Sequence, residues 1–358
     1  MTTKTRFYEL DLFRFLAAMS VVLFHYTFRG FAADNLSILS FPSMGNVFKY
    51  GYLGVDLFFI ISGFVILMTA INTTVAGFAI SRITRLYPAF WASVTLTALV
   101  TCLIGGDRYS IELGQYLLNL TMVSGYFGIK PVDGVYWTLL IELKFYFLIM
   151  ILLVFNGLSR IQLFLSAWLI VSLLSGFVNI SGYGRFLFFP DYASYFIAGA
   201  TFFMIRKEGF SVPRILLLVG SYVLSMKYAY LHMSVQEKSW HTEFSPYIVL
   251  GLVTLFYIVF ALVAADKTRF LNSKRLLSVG LLTYPLYLIH QNIGFMIFNY
   301  FGSEANKYLM LGVGVIFVLS ASYAINRLIE RRFSYPMKKF LEAVTSSAVR
   351  QAERSDGV

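Results

Sequence analysis

The sequence predicts an all-α polytopic membrane protein of about ten transmembrane helices with both termini in the cytoplasm. Three observations carry that prediction. Of 358 residues 58% are hydrophobic and only 13% charged, against about 45–50% and 25% in soluble domains; mean hydropathy is +0.72. Runs of about 20 apolar residues, the length that crosses a bilayer, recur at 8–28, 52–71, 86–105, 137–155, 161–179, 187–205, 214–231, 246–265, 277–298 and 309–328. With the N-terminus inside, Lys and Arg beyond or near the ends of those runs divide 19 inside to 8 outside, the bias expected of cytoplasmic loops. The net charge of +11 is thus topological, and nucleic acid is not an expected partner.

In chain order, the first run carries Asp11, Arg14 and His25 in otherwise apolar sequence. Ionisable groups in a bilayer cost several kcal/mol and mark sites or pathways. Arg14 and His25 are eleven residues apart, close to three helical turns, so they share a stripe and stand about 16 Å apart along the axis. The second run brings Asp56 just under the outer surface, the fourth brings Glu142 about a turn and a half below it, and the ninth brings His290 into the outer half. Arg82 and Arg85 stand one turn apart at the cytoplasmic mouth of the third.

Between the third and fourth runs, 106–136 is the longest connection, and its IELGQYLLNLTMV is amphipathic enough to lie along the outer surface. Gly176, Gly182, Gly184 and Pro190 interrupt the region 161–205. His232 and His241 fall after the seventh run, in a solvated outer loop on this reading. Residues 1–340 form one membrane unit and 341–358 a polar cytoplasmic tail, expected to be mobile. No cleavable signal peptide is read at the N-terminus, and the single cysteine, Cys102, allows no intramolecular disulfide.

Each charged position also has a bland reading. His25 can be a snorkelling interface residue, Glu142 a structural partner of Arg14 or Lys144, and Asp56 a helix-start hydrogen bonder. His290 can be a satisfied core histidine, and Arg82 and Arg85 plain topogenic charges. No metal-ligand spacing, P-loop or nucleophile elbow is present, so no metal is expected. What remains is an imidazole able to act as a general base, carboxylates, a buried guanidinium and an inner basic patch suited to phosphate. That set fits acyl transfer from a phosphate-bearing donor to a hydroxyl. A transporter using a buried proton relay is the rival reading, disfavoured by the lack of internal repeats. A non-catalytic partner of a polymerase complex is a third, and it leaves the Arg14/His25 stripe unexplained.

The blocks ELDLFRFLAAMSVVLFHY, GYLGVDLFFIISGFVI, FAISRITRLYPAFW, VYWTLLIELKFYF, LLTYPLYLIHQN and LIERRF occur in that order. Together they resemble the acyltransferase 3 family of integral membrane O-acyltransferases, many of which acetylate bacterial surface polysaccharides. Leu12 stands where that family often has Gly, and Arg332 where it often has Pro. The resemblance implies a bacterial inner-membrane enzyme with acyl-CoA, most often acetyl-CoA, as donor, and a glycan or lipid-linked saccharide as acceptor. Its nucleotide would lie near Arg82 and Arg85, and its thioester would pass Arg14 toward His25. His25 would be general base or transient acyl carrier, Glu142 would orient or charge-balance it, and Asp56 and His290 would be secondary catalytic candidates. With no hydrolase-like segment after the last block, a stand-alone membrane unit is expected.

Overall fold

The computed structural model describes residues 7–175 and 182–355, and every element among them is helical. The helices are α1 (Tyr8–Phe24), α2 (Pro42–Phe48), α3 (Gly54–Ala70), α4 (Val75–Ile104), α5 (Leu113–Asn119), α6 (Trp137–Val154) and α7 (Ile161–Leu174). They continue with α8 (Gly182–Phe188), α9 (Pro190–Glu208), α10 (Val212–Trp240), α11 (Pro246–Ala264), α12 (Leu276–Phe301), α13 (Lys307–Ala324) and α14 (Arg331–Ser355). Among the described residues eight helical stretches are long and apolar enough to span a membrane, so the protein is a multi-pass membrane protein.

The runs 187–205 and 277–298, also expected to span, fall on α9 and α12, which are long enough but more polar. Their composition follows from where they sit. α9 is buried over 14 of its 19 residues and packs on α3, α7, α10 and α11. α12 packs on α1, α4 and α13. A helix enclosed by protein can carry polar groups that lipid would reject.

Lipid gives helices little hydrophobic reason to associate, so close packing of small residues does that work. α3 and α9 meet through Gly63 and Gly199: a Cβ on Gly63 would strike the carbonyl of Phe196, and one on Gly199 the carbonyl of Ile60. Gly294 similarly lets α12 close on the ring of Tyr26.

Several boundaries differ from the expectation. α4 begins at Val75, N-capped by the Thr74 side chain on the Gly77 amide, so Arg82 and Arg85 lie within the helix rather than before it. α10 runs on to Trp240 because MSVQEKSW is polar without containing a helix breaker; His232 is therefore in a helix, and the solvated-loop reading of it is corrected. His241 caps that helix in a left-handed conformation, φ 47°. The amphipathic segment after 106 holds the short helix α5, with Leu113, Leu117 and Leu118 exposed. Gly176 lies outside the described residues; Gly182 and Gly184 sit in α8, and Pro190 opens α9. α13 passes through a π-helical segment, Ile325–Glu330, into α14, so the polar tail is helical to Ser355.

Candidate active site

α1 passes without a break into a second π-helical segment, His25–Ala33. π-turns inside α-helices are rare and concentrate at functional sites. His25 is its first residue and is buried. The His25 Nδ1 atom lies 2.8 Å from the Val21 carbonyl oxygen and 3.1 Å from His290 Nε2, with the two rings edge to face at 4.8 Å. His290 Nδ1 lies 2.8 Å from the Tyr287 carbonyl oxygen.

Those partners assign the protons. A carbonyl oxygen can only accept, so each Nδ1 carries a hydrogen. His290 Nε2 is then a bare acceptor for His25 Nδ1–H, and the free lone pair of the dyad is on His25 Nε2. Arg29 Nη1 donates to that nitrogen over 3.3 Å. His290 itself is fully buried, and Tyr26 Oη donates to its carbonyl over 2.8 Å. Its ring therefore meets His25 and lines neither of the cavities described next.

Two cavities lie in this core, and His25 lines the smaller. A cavity of about 710 Å³ is enclosed by α1, α3, α4, α6 and α12, and Arg14, Arg82, Arg85, Glu142, Ser62 and Tyr146 line it. A smaller one of about 290 Å³ holds His25, Arg29, Asp56, His232, Trp137 and Trp240. Val55 and Tyr287 belong to the walls of both. Tyr287 is fixed there by Thr138, hydroxyl to hydroxyl at 2.8 Å.

The larger cavity has a basic floor. Arg14 pairs with the buried Asp11 at 3.3 Å. Arg85 is ion-paired with Glu330 of the π-helical segment Ile325–Glu330, whose other oxygen accepts from Asn326 Nδ2 at 2.7 Å. Arg82 donates to Ser81 Oγ over 2.9 Å and lies over the rings of Phe78 and Tyr146. Its Nε is buried without a hydrogen-bond acceptor. An orphaned buried donor costs free energy, and an anionic ligand oxygen would relieve it.

The structure thus separates residues that the sequence analysis grouped together. His25 and His290 are joined, and Asp56 shares the smaller cavity with His25. Glu142 does not join them. Its Oε1 accepts from Ser62 Oγ at 2.9 Å and from Tyr146 Oη at 2.6 Å, which places it with the basic floor. The expectation that Glu142 orients His25 is corrected: depth along a helix was legible, the direction of the side chain around it was not. Glu142 holds Tyr146, on whose ring Arg82 rests.

Asp133 was missed. It is completely buried, accepting from the Asn292 amide at 2.9 Å and the Val135 amide at 3.2 Å, and so ties the loop before α6 to α12 two residues beyond His290. The signal was a carboxylate in PVDGVYW directly before a span, easily taken for an ordinary turn. Burial pushes its carboxyl up to about 7. The unfolded chain releases that proton near 4, so from about 4 to about 7 the folded state binds more protons and stability falls as pH rises. We expect the Tm of detergent-purified protein to drop between pH 5 and 8, and Asp133→Asn to flatten that slope; an unchanged slope in the variant would remove Asp133 as its cause.

The fold is a many-helix membrane core in which His25 of a histidine pair lines one of two cavities that share wall residues. The acyltransferase domain model of the acyltransferase 3 family matches residues 7–327, and the chain belongs to that family. Nodulation protein 10 of Rhizobium leguminosarum bv. viciae is 31% identical over 168 residues, 40% of this chain and 44% of that protein. A protein of Acidianus two-tailed virus, provisionally named an acetyltransferase, is 28% identical over 164 residues, 44% of this chain and 46% of its own length. The chain thus spans under half the length of each of these two relatives. No solved structure matches it.

Proposed function

We propose that this protein moves an acetyl (acyl) group from cytoplasmic acyl-CoA to a hydroxyl of an exported or lipid-linked glycan at the bacterial inner membrane, with both termini in the cytoplasm. The observation that carries this reading is the pair of cavities that share Val55 and Tyr287 as wall residues, one with a guanidinium floor and the other lined by His25. On this reading the donor's phosphates lie toward Arg82, with Arg85 partly neutralised by Glu330. The thioester lies past Arg14, and the acceptor enters the smaller cavity.

That smaller cavity suits a sugar. Trp137 and Trp240 offer flat apolar faces, Asp56 and His232 offer polar groups, and Tyr52 Oη and Gln236 Oε1 are buried without hydrogen-bond partners. His25 Nε2 takes the proton of the acceptor hydroxyl as its oxygen attacks the thioester carbonyl carbon. The imidazolium so formed donates from Nδ1 to the Val21 carbonyl and to His290 Nε2. The C–S bond breaks, and the departing thiolate recovers a proton from His25.

The direct experiment incubates purified protein with acetyl-labelled CoA and membranes carrying the cell's glycans. Label in an alkali-labile ester on the glycan supports the proposal; label that stays in CoA and acetate contradicts it. The phosphate assignment has its own test. Arg82→Ala should raise the KM for acetyl-CoA about tenfold, the loss of one charge-assisted bond, with kcat little changed. A kcat effect at constant KM would move Arg82 away from the donor phosphates.

A further inference from the structure

Arg29 has no part in the transfer chemistry just described, yet it occupies the one nitrogen that chemistry needs. It follows His25 by four residues in the π-helical segment, and its Nη1 donates to His25 Nε2. Asp34, which follows the segment, holds it from behind. Asp34 Oδ2 accepts from Arg29 Nε at 2.6 Å, and the Asp34 amide donates to the Arg29 carbonyl at 3.0 Å. Asp34 thus fixes the Arg29 backbone through its amide and the guanidinium through its carboxylate, leaving Nη1 directed at the imidazole. Arg29 also borders the smaller cavity beside Asp56, His232 and Gln236, where water has access whenever the acceptor is absent.

We propose that Arg29 caps the base in the acceptor-free protein and so holds back attack of water on the bound acyl donor. The proposal rests on His25 being the base and acetyl-CoA the donor. In the reaction that the cap suppresses, a water O–H gives its proton to His25 Nε2 and its oxygen bonds to the thioester carbonyl carbon. The C–S bond then breaks, acetate leaves, and the thiolate is protonated to CoA thiol. While Arg29 Nη1–H occupies the Nε2 lone pair, that nitrogen accepts no proton from water. An acceptor filling the cavity displaces Nη1 and offers its own hydroxyl in the same place. Arg29 is therefore a positioning residue, acting through His25.

The test needs no acceptor. Purified full-length protein is incubated with acetyl-CoA alone, and free CoA thiol is followed with a thiol reagent. Arg29→Gln should release thiol about tenfold faster than wild type, the factor matching loss of one hydrogen bond to a charged group. Arg29→Lys, which keeps a cationic donor, should stay near the wild-type rate. His25→Ala combined with Arg29→Gln should remove the gain. A rate in Arg29→Gln equal to or below wild type overturns the proposal. If that variant does not purify as a single species, Asp34→Asn decides: loosening the tether raises hydrolysis if Arg29 is a cap, and an unchanged rate overturns it. A general loss of packing lowers turnover and does not produce a gain that depends on His25. Wild-type transfer that His25→Ala abolishes, with no gain in Arg29→Gln, defeats the cap alone. Acetyl-CoA left unused by the wild type, with glycan acceptor supplied, defeats the donor reading and the cap with it.

Discussion

His25→Ala is expected to lower the rate of acyl transfer by about 10²–10⁴-fold, the contribution of a positioned general base, while the protein still inserts and purifies normally. The expectation follows from the proton assignment. His25 Nε2 is the only lone pair of the dyad that faces a cavity, because His290 Nε2 is turned to His25 and both Nδ1 atoms are committed to carbonyls. Alanine removes that lone pair and leaves His290 behind it without a route to the acceptor. The measurement is single-turnover transfer of labelled acetyl from CoA to glycan, with gel filtration of the variant in detergent as the control for folding. Wild-type turnover in a well-folded variant would end the assignment of His25 as base.

Arg14→Ala is expected to cost about 10²–10³-fold in kcat, the size of effect seen when a donor that stabilises developing oxyanion charge is removed. Arg14 lies on the wall of the larger cavity, on α1, the helix that runs into His25. Its removal also has a structural consequence, since the buried Asp11 loses the cation 3.3 Å away, and breaking a buried pair destabilises. The two effects can be separated. Asp11→Asn added to Arg14→Ala removes the carboxylate that has lost its cation and should recover stability, read as Tm, without recovering transfer. Recovery of transfer in the double variant would reduce Arg14 to a structural partner of Asp11.

Much of this arrangement was legible from the order of residues. Runs of apolar length marked the eight spans and also α9 and α12, and helical spacing set Arg14 of α1 about three turns before His25, which opens the π-helical segment. What depth along a helix cannot supply is azimuth. Glu142 is at the expected height in α6 but turns to Ser62 and Tyr146, whereas His290, an equally isolated residue of α12, turns to His25. Ion pairs across the fold were equally hidden: Arg85 and Glu330 are 245 positions apart, and only packing of α4 against the segment after α13 brings them together. His232 was misplaced because falling hydropathy was read as the end of a helix, although α10 simply continues beyond its apolar stretch. Arg29 is one of the eight cations that the sequence places outside, and nothing in HYTFRGFAA announces a π-turn.

The central claim is that donor and acceptor reach His25 from opposite sides of the membrane, and its most direct test is the sidedness of the reaction. Sealed inverted vesicles, with their cytoplasmic face outward and glycan acceptor enclosed, are given labelled acetyl-CoA, which does not cross the bilayer. The account predicts acetylated glycan inside the vesicles, in amounts that His25→Ala reduces to background. Right-side-out vesicles given the same donor should yield none. Acetylation in right-side-out vesicles, or product confined to the side on which the donor was added, would contradict it.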